Sequence, residues 1–137
     1  KDLPLVSRES ERNFFEENTP IADSEAFEIC YLSTFGVLAS VLDNDLEQFH
    51  QSIEKIQNTK WKSMEIANAD EKVRKLIAEL RQLGCLGVGM SSLGNGVFFI
   101  APENTHQESV RALANQMNAT LLRLSPCNSG RFVSCLS

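Results

Sequence analysis

Basic charge is scarce in this chain of 137 residues. Thirteen Lys and Arg stand against eighteen Asp and Glu, leaving a net charge of −5. Nucleic-acid binding needs clustered cations to displace counterions, and the nearest basic neighbours here are Lys60 with Lys62 and Arg74 with Lys75. A nucleic-acid partner is therefore not expected. Histidine is represented only by His50 and His106, which leaves little material for imidazole catalysis, and both read as solvated helix positions. The four cysteines, Cys30, Cys85, Cys127 and Cys135, show no metal-type pairing at two to four residues, so no metal site is expected. All four read as free thiols of a reducing, cytoplasmic protein. No uninterrupted apolar run approaches the roughly 20 residues that cross a bilayer, so no membrane partner is expected. The chain opens on Lys1 without a basic start followed by an apolar stretch, which suggests a fragment of a longer protein and no signal peptide.

What is present reads as one globular domain over residues 1–137, with 42% hydrophobic and 23% charged residues. Ser7 caps a short helix to Glu17, with Phe14 and Phe15 on its buried side. Asp23-Ser24 caps a long helix to Leu42, where Phe27, Tyr31, Thr34, Leu38, Val41 and Leu42 share a stripe. Ile29, Leu32 and Phe35 widen it, and burial on more than one side is expected. Asp43-Asn44 breaks that helix, and Asp45 with Gln48 resembles a capping box for a second helix to Asn58. Leu46, Phe49, Ile53 and Ile56 form its seam, so the two helices should pack as an antiparallel hairpin. Residues 59–68 read as a strand edge or a covering loop.

Val73, Leu76, Ile77, Leu80 and Leu83 then recur at helical spacing, and Gly84 follows as a left-handed stop. Short strands are expected at Cys85–Val88, Val97–Ile100, Ala119–Leu124 and Arg131–Leu136, with a helix at Thr105–Met117. That order gives an α+β sandwich, a small, mostly antiparallel sheet with helices packed on one face.

The stretch from Gly87 to Gly96 concentrates the chain's chemistry. Gly87, Gly89, Gly94 and Gly96 surround Met90, Ser91, Ser92 and Asn95 between two apolar runs. Main-chain N–H groups in such a loop can converge on an anion. Asn95-Gly96 is equally a strong hairpin signal, so an ordinary β-turn remains the alternative. It is not a P-loop, because no Gly-Lys-Ser/Thr ends it and no helix follows. Arg131, beside Gly130, is a possible anion contact through its fork of donors. Trp61 between Lys60 and Lys62 is the one aromatic-basic patch, a possible substrate contact or a covering side chain.

Gly89-Met90-Ser91-Ser92-Leu93-Gly94 followed by Val97-Phe98 resembles the third motif of the GHMP small-molecule kinase superfamily. The doubled serine, large apolar residue and glycine look most like archaeal beta-ribofuranosylaminobenzene 5'-phosphate synthases. Asn95-Gly96 departs from that motif's usual Pro-Thr, and Leu93 stands where an aromatic residue is common. The resemblance implies a ferredoxin-like C-terminal domain whose loop residues Gly87, Gly89, Met90, Ser91, Ser92, Gly94, Asn95 and Gly96 bind a phosphorylated substrate. It also implies Trp61 near the substrate cleft, and a missing N-terminal domain carrying the phosphate-cradling loop. Such a protein joins a benzoate to phosphoribosyl pyrophosphate on the route to methanopterin. The resemblance implies no cofactor in this chain and magnesium only with the parent's phosphorylated substrate. A homodimer is possible. Alone, the domain would be inactive. A GHMP-type ATP-dependent kinase and a non-catalytic binding or dimerisation module are the competing readings.

Overall fold

A computed structural model of the chain describes residues 7–101 and 107–124. It is an α+β arrangement, mostly helical, with a two-stranded antiparallel sheet. Helix α1 spans Arg8–Asn18 and begins where the Ser7 hydroxyl accepts the Ser10 N–H at 3.1 Å. Three segments then run on as one continuous helix, Asp23–Asp43: α2 (Asp23–Tyr31), a wider π-helical stretch (Leu32–Leu38) and α3 (Ala39–Asp43). Ala22, not Asp23 or Ser24, occupies the cap position, and it supplies no side-chain acceptor. Asn44 turns the chain in the left-handed region at φ 54°, and Asp45 accepts the Gln48 N–H at 2.9 Å to start α4 (Leu46–Gln57).

The expected helix hairpin is present, held by contacts that an apolar pattern does not reveal. Gly36 lies against Ser52 so closely that a Cβ there would stand 2.5 Å from the Ser52 Oγ. Gln48 Nε2 donates to the Phe35 carbonyl at 3.2 Å. Of the expected seam, Leu46 is exposed and Phe49, Ile53 and Ile56 are half-buried. The buried residues of α4 are Ser52 and Gln57.

Residues 59–68, left open between strand edge and loop, form α5 (Lys60–Asn68), begun by the Thr59 hydroxyl. Asp70 then caps α6 (Glu71–Gln82) by accepting the Lys72 N–H at 2.8 Å. Gly84 follows at φ 78°, as its position implied. Strands β1 (Leu86–Met90) and β2 (Val97–Ile100) pair antiparallel, with Leu86 opposite Ile100 and Met90 opposite Val97. β1 runs two residues past the expected Val88, because the ladder holds until Met90 and bulges at Gly87, φ 53°. Helix α7 (Gln107–Gln116) completes the described elements. The core gathers Val73, Ile77 and Leu80 of α6, Cys85, Val88 and Met90, and Val110 and Leu113 of α7.

Two expectations are corrected. Residues 119–124 carry no strand, and Leu122 and Leu124 are 73% and 85% exposed. An extended segment needs a neighbour for its ladder, and among the described residues none pairs with this one; the strand expected at Arg131–Leu136 lies outside the described residues. The stripe of Asp23–Asp43, expected to be buried on more than one side, faces outward: Phe27, Tyr31, Phe35, Leu38, Val41 and Leu42 are all exposed. By length and composition this helix is also apolar enough to cross a membrane, at a mean hydropathy of 1.4. Its acids, Asp23, Glu25, Glu28 and Asp43, sit near the two ends, which is why a search for uninterrupted apolar runs passes it over.

Candidate functional site

The glycine-serine loop leaves β1 at Met90 and re-enters the sheet at Val97, and its neck is rigidly built. Ser91 N–H donates to the Gly96 carbonyl at 2.8 Å, closing the loop. Met90 is 1% exposed, and both its main-chain polar groups are engaged by helix side chains. Gln57 Oε1 at the end of α4 accepts the Met90 N–H at 3.0 Å. Lys62 Nζ on α5 donates to the Met90 carbonyl at 3.1 Å. A strand end with both groups satisfied in a buried setting is held more firmly than an ordinary hairpin neck.

The sequence-derived candidates divide at that neck. Gly87, Gly89 and Met90 are buried strand positions. Gly89 is there because a Cβ would stand 2.6 Å from both Gln57 Cδ and Phe98 Cζ, so its role is close packing. Ser91, Ser92 and Gly96 are exposed, Gly94 and Asn95 are half-buried, and Leu93 anchors the loop at 8% exposure. Ser92 adopts φ 52°, a left-handed conformation that serine rarely takes. The loop therefore presents two adjacent hydroxyls outward on a fixed frame, suited to donating hydrogen bonds to an anionic oxygen. The Met90 and Ser91 N–H groups are already committed within the chain, so the main-chain cradle is narrower than the glycine count suggests.

Trp61 is absorbed by packing. Its ring lies 5.5 Å from Phe14, edge on, and 5.6 Å from Phe15, stacked, which docks α1 on α5. Its indole N–H donates to Glu65 Oε1 at 2.9 Å, and its main-chain N–H donates to Glu25 Oε1. Arg131 lies outside the described residues. His50, read as solvated, is half-buried beside Gly87, with a buried Nδ1. Cys30 and Cys85 are free thiols; Cys127 and Cys135 lie outside the described residues. Among the described residues no three His, Cys, Asp or Glu side chains gather where a metal ion would sit.

Sequence reasoning missed Gln57 and Glu65, and singled out Lys62 only as a basic neighbour of Trp61. Lys62 and Glu65 form an ion pair at 2.6 Å, one helical turn apart and largely covered. The three-residue spacing of opposite charges was visible, but nothing in the sequence said that this face of α5 turns inward beneath the loop.

Comparison with known proteins matches residues 37–121 to the family described as GHMP kinases C terminal. Three curated relatives carry the name beta-ribofuranosylphenol 5'-phosphate synthase. The protein of Methanothermobacter thermautotrophicus is 29% identical over 98 residues, 72% of this chain and 30% of its own length. That of Archaeoglobus fulgidus is 29% identical over 107 residues, 75% of this chain and 31% of its own. That of Methanocaldococcus jannaschii is 27% identical over 93 residues, 68% and 28% respectively. The chain thus spans about three tenths of the length of these relatives. No solved structure matches.

Proposed function

Because this chain belongs to the GHMP kinases C-terminal family, we propose that it is the C-terminal domain of a beta-ribofuranosylphenol 5'-phosphate synthase-like enzyme. In that reading the parent joins a hydroxybenzoate to phosphoribosyl pyrophosphate in the cytoplasm, on the route to methanopterin. The aryl carbon takes the ribosyl C1, pyrophosphate leaves with the bonding electron pair, and the carboxyl group departs as carbon dioxide. The relatives are named for a ribofuranosylphenol, which favours the hydroxyl-bearing acceptor over the aminobenzoate. The observation that carries the reading is the braced loop, with the Ser91 and Ser92 hydroxyls exposed above a neck fixed by Gln57 and Lys62. Preorganised donors of this kind stabilise charge on a departing phosphate group without reorganising during the reaction.

The part of such an enzyme that lies outside the matched region would supply the phosphate-cradling motif, so the 137-residue chain alone is inactive in this reading. Among the described residues no carboxylate cluster gathers, so any magnesium would come with the parent's phosphorylated substrate.

The test is an assay of the full reading frame's product with phosphoribosyl pyrophosphate and 4-hydroxybenzoate, following pyrophosphate and carbon dioxide. Both should appear, and Ser91→Ala with Ser92→Ala should lower turnover while stability stays within about 1 kcal/mol, as for exposed positions. A double variant that keeps full specific activity would reduce the loop to a hairpin. The family's own description favours a second reading, a small-molecule kinase. Formation of ADP from ATP with a small alcohol, in place of pyrophosphate release, would establish it.

A further inference from the structure

The outer face of Asp23–Asp43 is the largest apolar feature that the described fold leaves uncovered. Phe27, Tyr31, Phe35, Leu38 and Leu42 run along it, 72%, 63%, 63%, 54% and 77% exposed. The sixteen residues of helix from Phe27 to Leu42 extend about 22 Å at about 1.5 Å per step. A contiguous stripe of aromatic and aliphatic side chains on that scale marks an interaction site. The Tyr31 and Phe35 rings already lie together, with centroids 5.4 Å apart. They border a groove of about 410 Å³ whose far wall includes Glu47, Gln51 and Lys55 of α4.

Charge narrows the choice of occupant. No lysine or arginine occurs between Asn13 and Glu54, and Lys55, which follows, stands on the α4 wall of the groove, off the stripe itself. Asp23 and Glu28 stand at one end of the stripe, Asp43 and Glu47 at the other, all exposed. Two copies of this face packed antiparallel would set the first acidic end against the second, and packed in parallel would set each acid beside itself. Like charges facing across an interface oppose association. The matching face is therefore apolar along its middle and basic at its rims, which is not what a second copy of this stripe offers. Length points to where that face comes from, since the curated relatives extend well beyond the 28–31% of their length matched here.

We infer that the stripe Phe27–Leu42 is the surface on which the rest of the parent polypeptide docks, through an apolar face rimmed by lysine and arginine. The inference rests on the two-part reading above and names the surface that reading requires.

Hydroxyl-radical footprinting tests it without altering the stripe. Oxidation of Phe27, Tyr31, Phe35 and Leu42 is measured by mass spectrometry in the 137-residue chain and in the full reading frame's product. The expected result is fast oxidation in the chain and at least a fivefold slowing in the longer protein. Charge reversal at two exposed rim positions, Glu28→Lys with Asp43→Lys, should restore most of the fast rate. Equal rates in the two proteins would overturn the inference. So would protection in the chain alone that grows with its concentration, which would mean self-association, or that appears only with phosphatidylglycerol vesicles, which would mean a lipid surface. Protection that persists through the charge reversal would overturn the basic rim. A reading frame with no further domain would bring down the two-part reading as well. Protection without pyrophosphate release would bring down only the proposed activity.

Discussion

Lys62 and Glu65 face each other on α5 at 2.6 Å, with side chains 16% and 6% exposed. Each has a second duty. Lys62 donates to the Met90 carbonyl, and Glu65 accepts from the Trp61 indole, which in turn holds α1 through Phe14 and Phe15. One pair thus ties the aromatic cluster at the chain's start to the neck of the glycine-serine loop.

Gln57→Leu should destabilise the protein by about 1–3 kcal/mol, because the shape is nearly kept while the buried Met90 N–H loses its acceptor. Urea unfolding measures this. A change below about 0.5 kcal/mol would show that water replaces the amide and that the neck is less enclosed than its geometry indicates.

Gly36→Ala should also destabilise, although alanine is the better helix former by roughly 0.5–1 kcal/mol. The new methyl would meet Ser52 Oγ at 2.5 Å and Cβ at 2.8 Å. Ser52→Gly removes that obstacle, so the double variant should recover most of the loss. Two additive losses in thermal unfolding would mean that the helices part readily at this crossing.

Cys30 is exposed and Cys85 is 3% exposed. A thiol reagent on the native protein should modify Cys30 quickly and reach Cys85 only after unfolding. Burial raises the Cys85 thiol above its ordinary 9.0. A raised folded value leaves stability untouched while both states keep the proton and costs the native state stability once the unfolded thiol begins to ionise. In the linkage sense, the protonated-state contribution is complete below 9.0 and is lost as pH climbs through the higher folded value. Cys85→Ala should leave the pH dependence below pH 8 unchanged and alter it only in the alkaline limb. Titration of unfolding free energy against pH for the two proteins separates these outcomes.

Ile77→Ala should cost about 2–5 kcal/mol, since Ile77 sits in the core between α6 and the sheet. Phe49→Ala, at a half-buried position, should cost less than the 3–5 kcal/mol or so of a fully buried phenylalanine. Equal losses would place Phe49 in a core that the described residues do not complete.

Local chemistry made the helix boundaries legible. Ser7, Asp45, Asn44 and Gly84 each do at a helix end what their side chains or backbone freedom dictate. The inward face of α6 was equally plain, because Val73, Ile77 and Leu80 repeat at one spacing against a single sheet. The stripe of Asp23–Asp43 could be read as a face needing cover, but periodicity does not say whether the same chain supplies the cover. Helix α5 was obscure because its apolar side chains, Trp61, Met64 and Ile66, do not repeat cleanly and its buried acid looks like a wet one. The loop's position between two strands was visible in the sequence. The braces that fix it were not, since Gln57 and Lys62 lie 33 and 28 residues from Met90 and meet it only in three dimensions.

The crowding at Gly89 has a bearing on how the sequence can drift. A single methyl at this position would stand 2.6 Å from both Gln57 and Phe98, so a lineage acquiring alanine there must first trim one of those neighbours. Trimming Gln57 frees the Met90 N–H, whereas trimming Phe98 leaves that hydrogen bond in place. Among descendants of this protein, alanine at 89 should therefore arrive together with a smaller residue at 98 and with glutamine retained at 57.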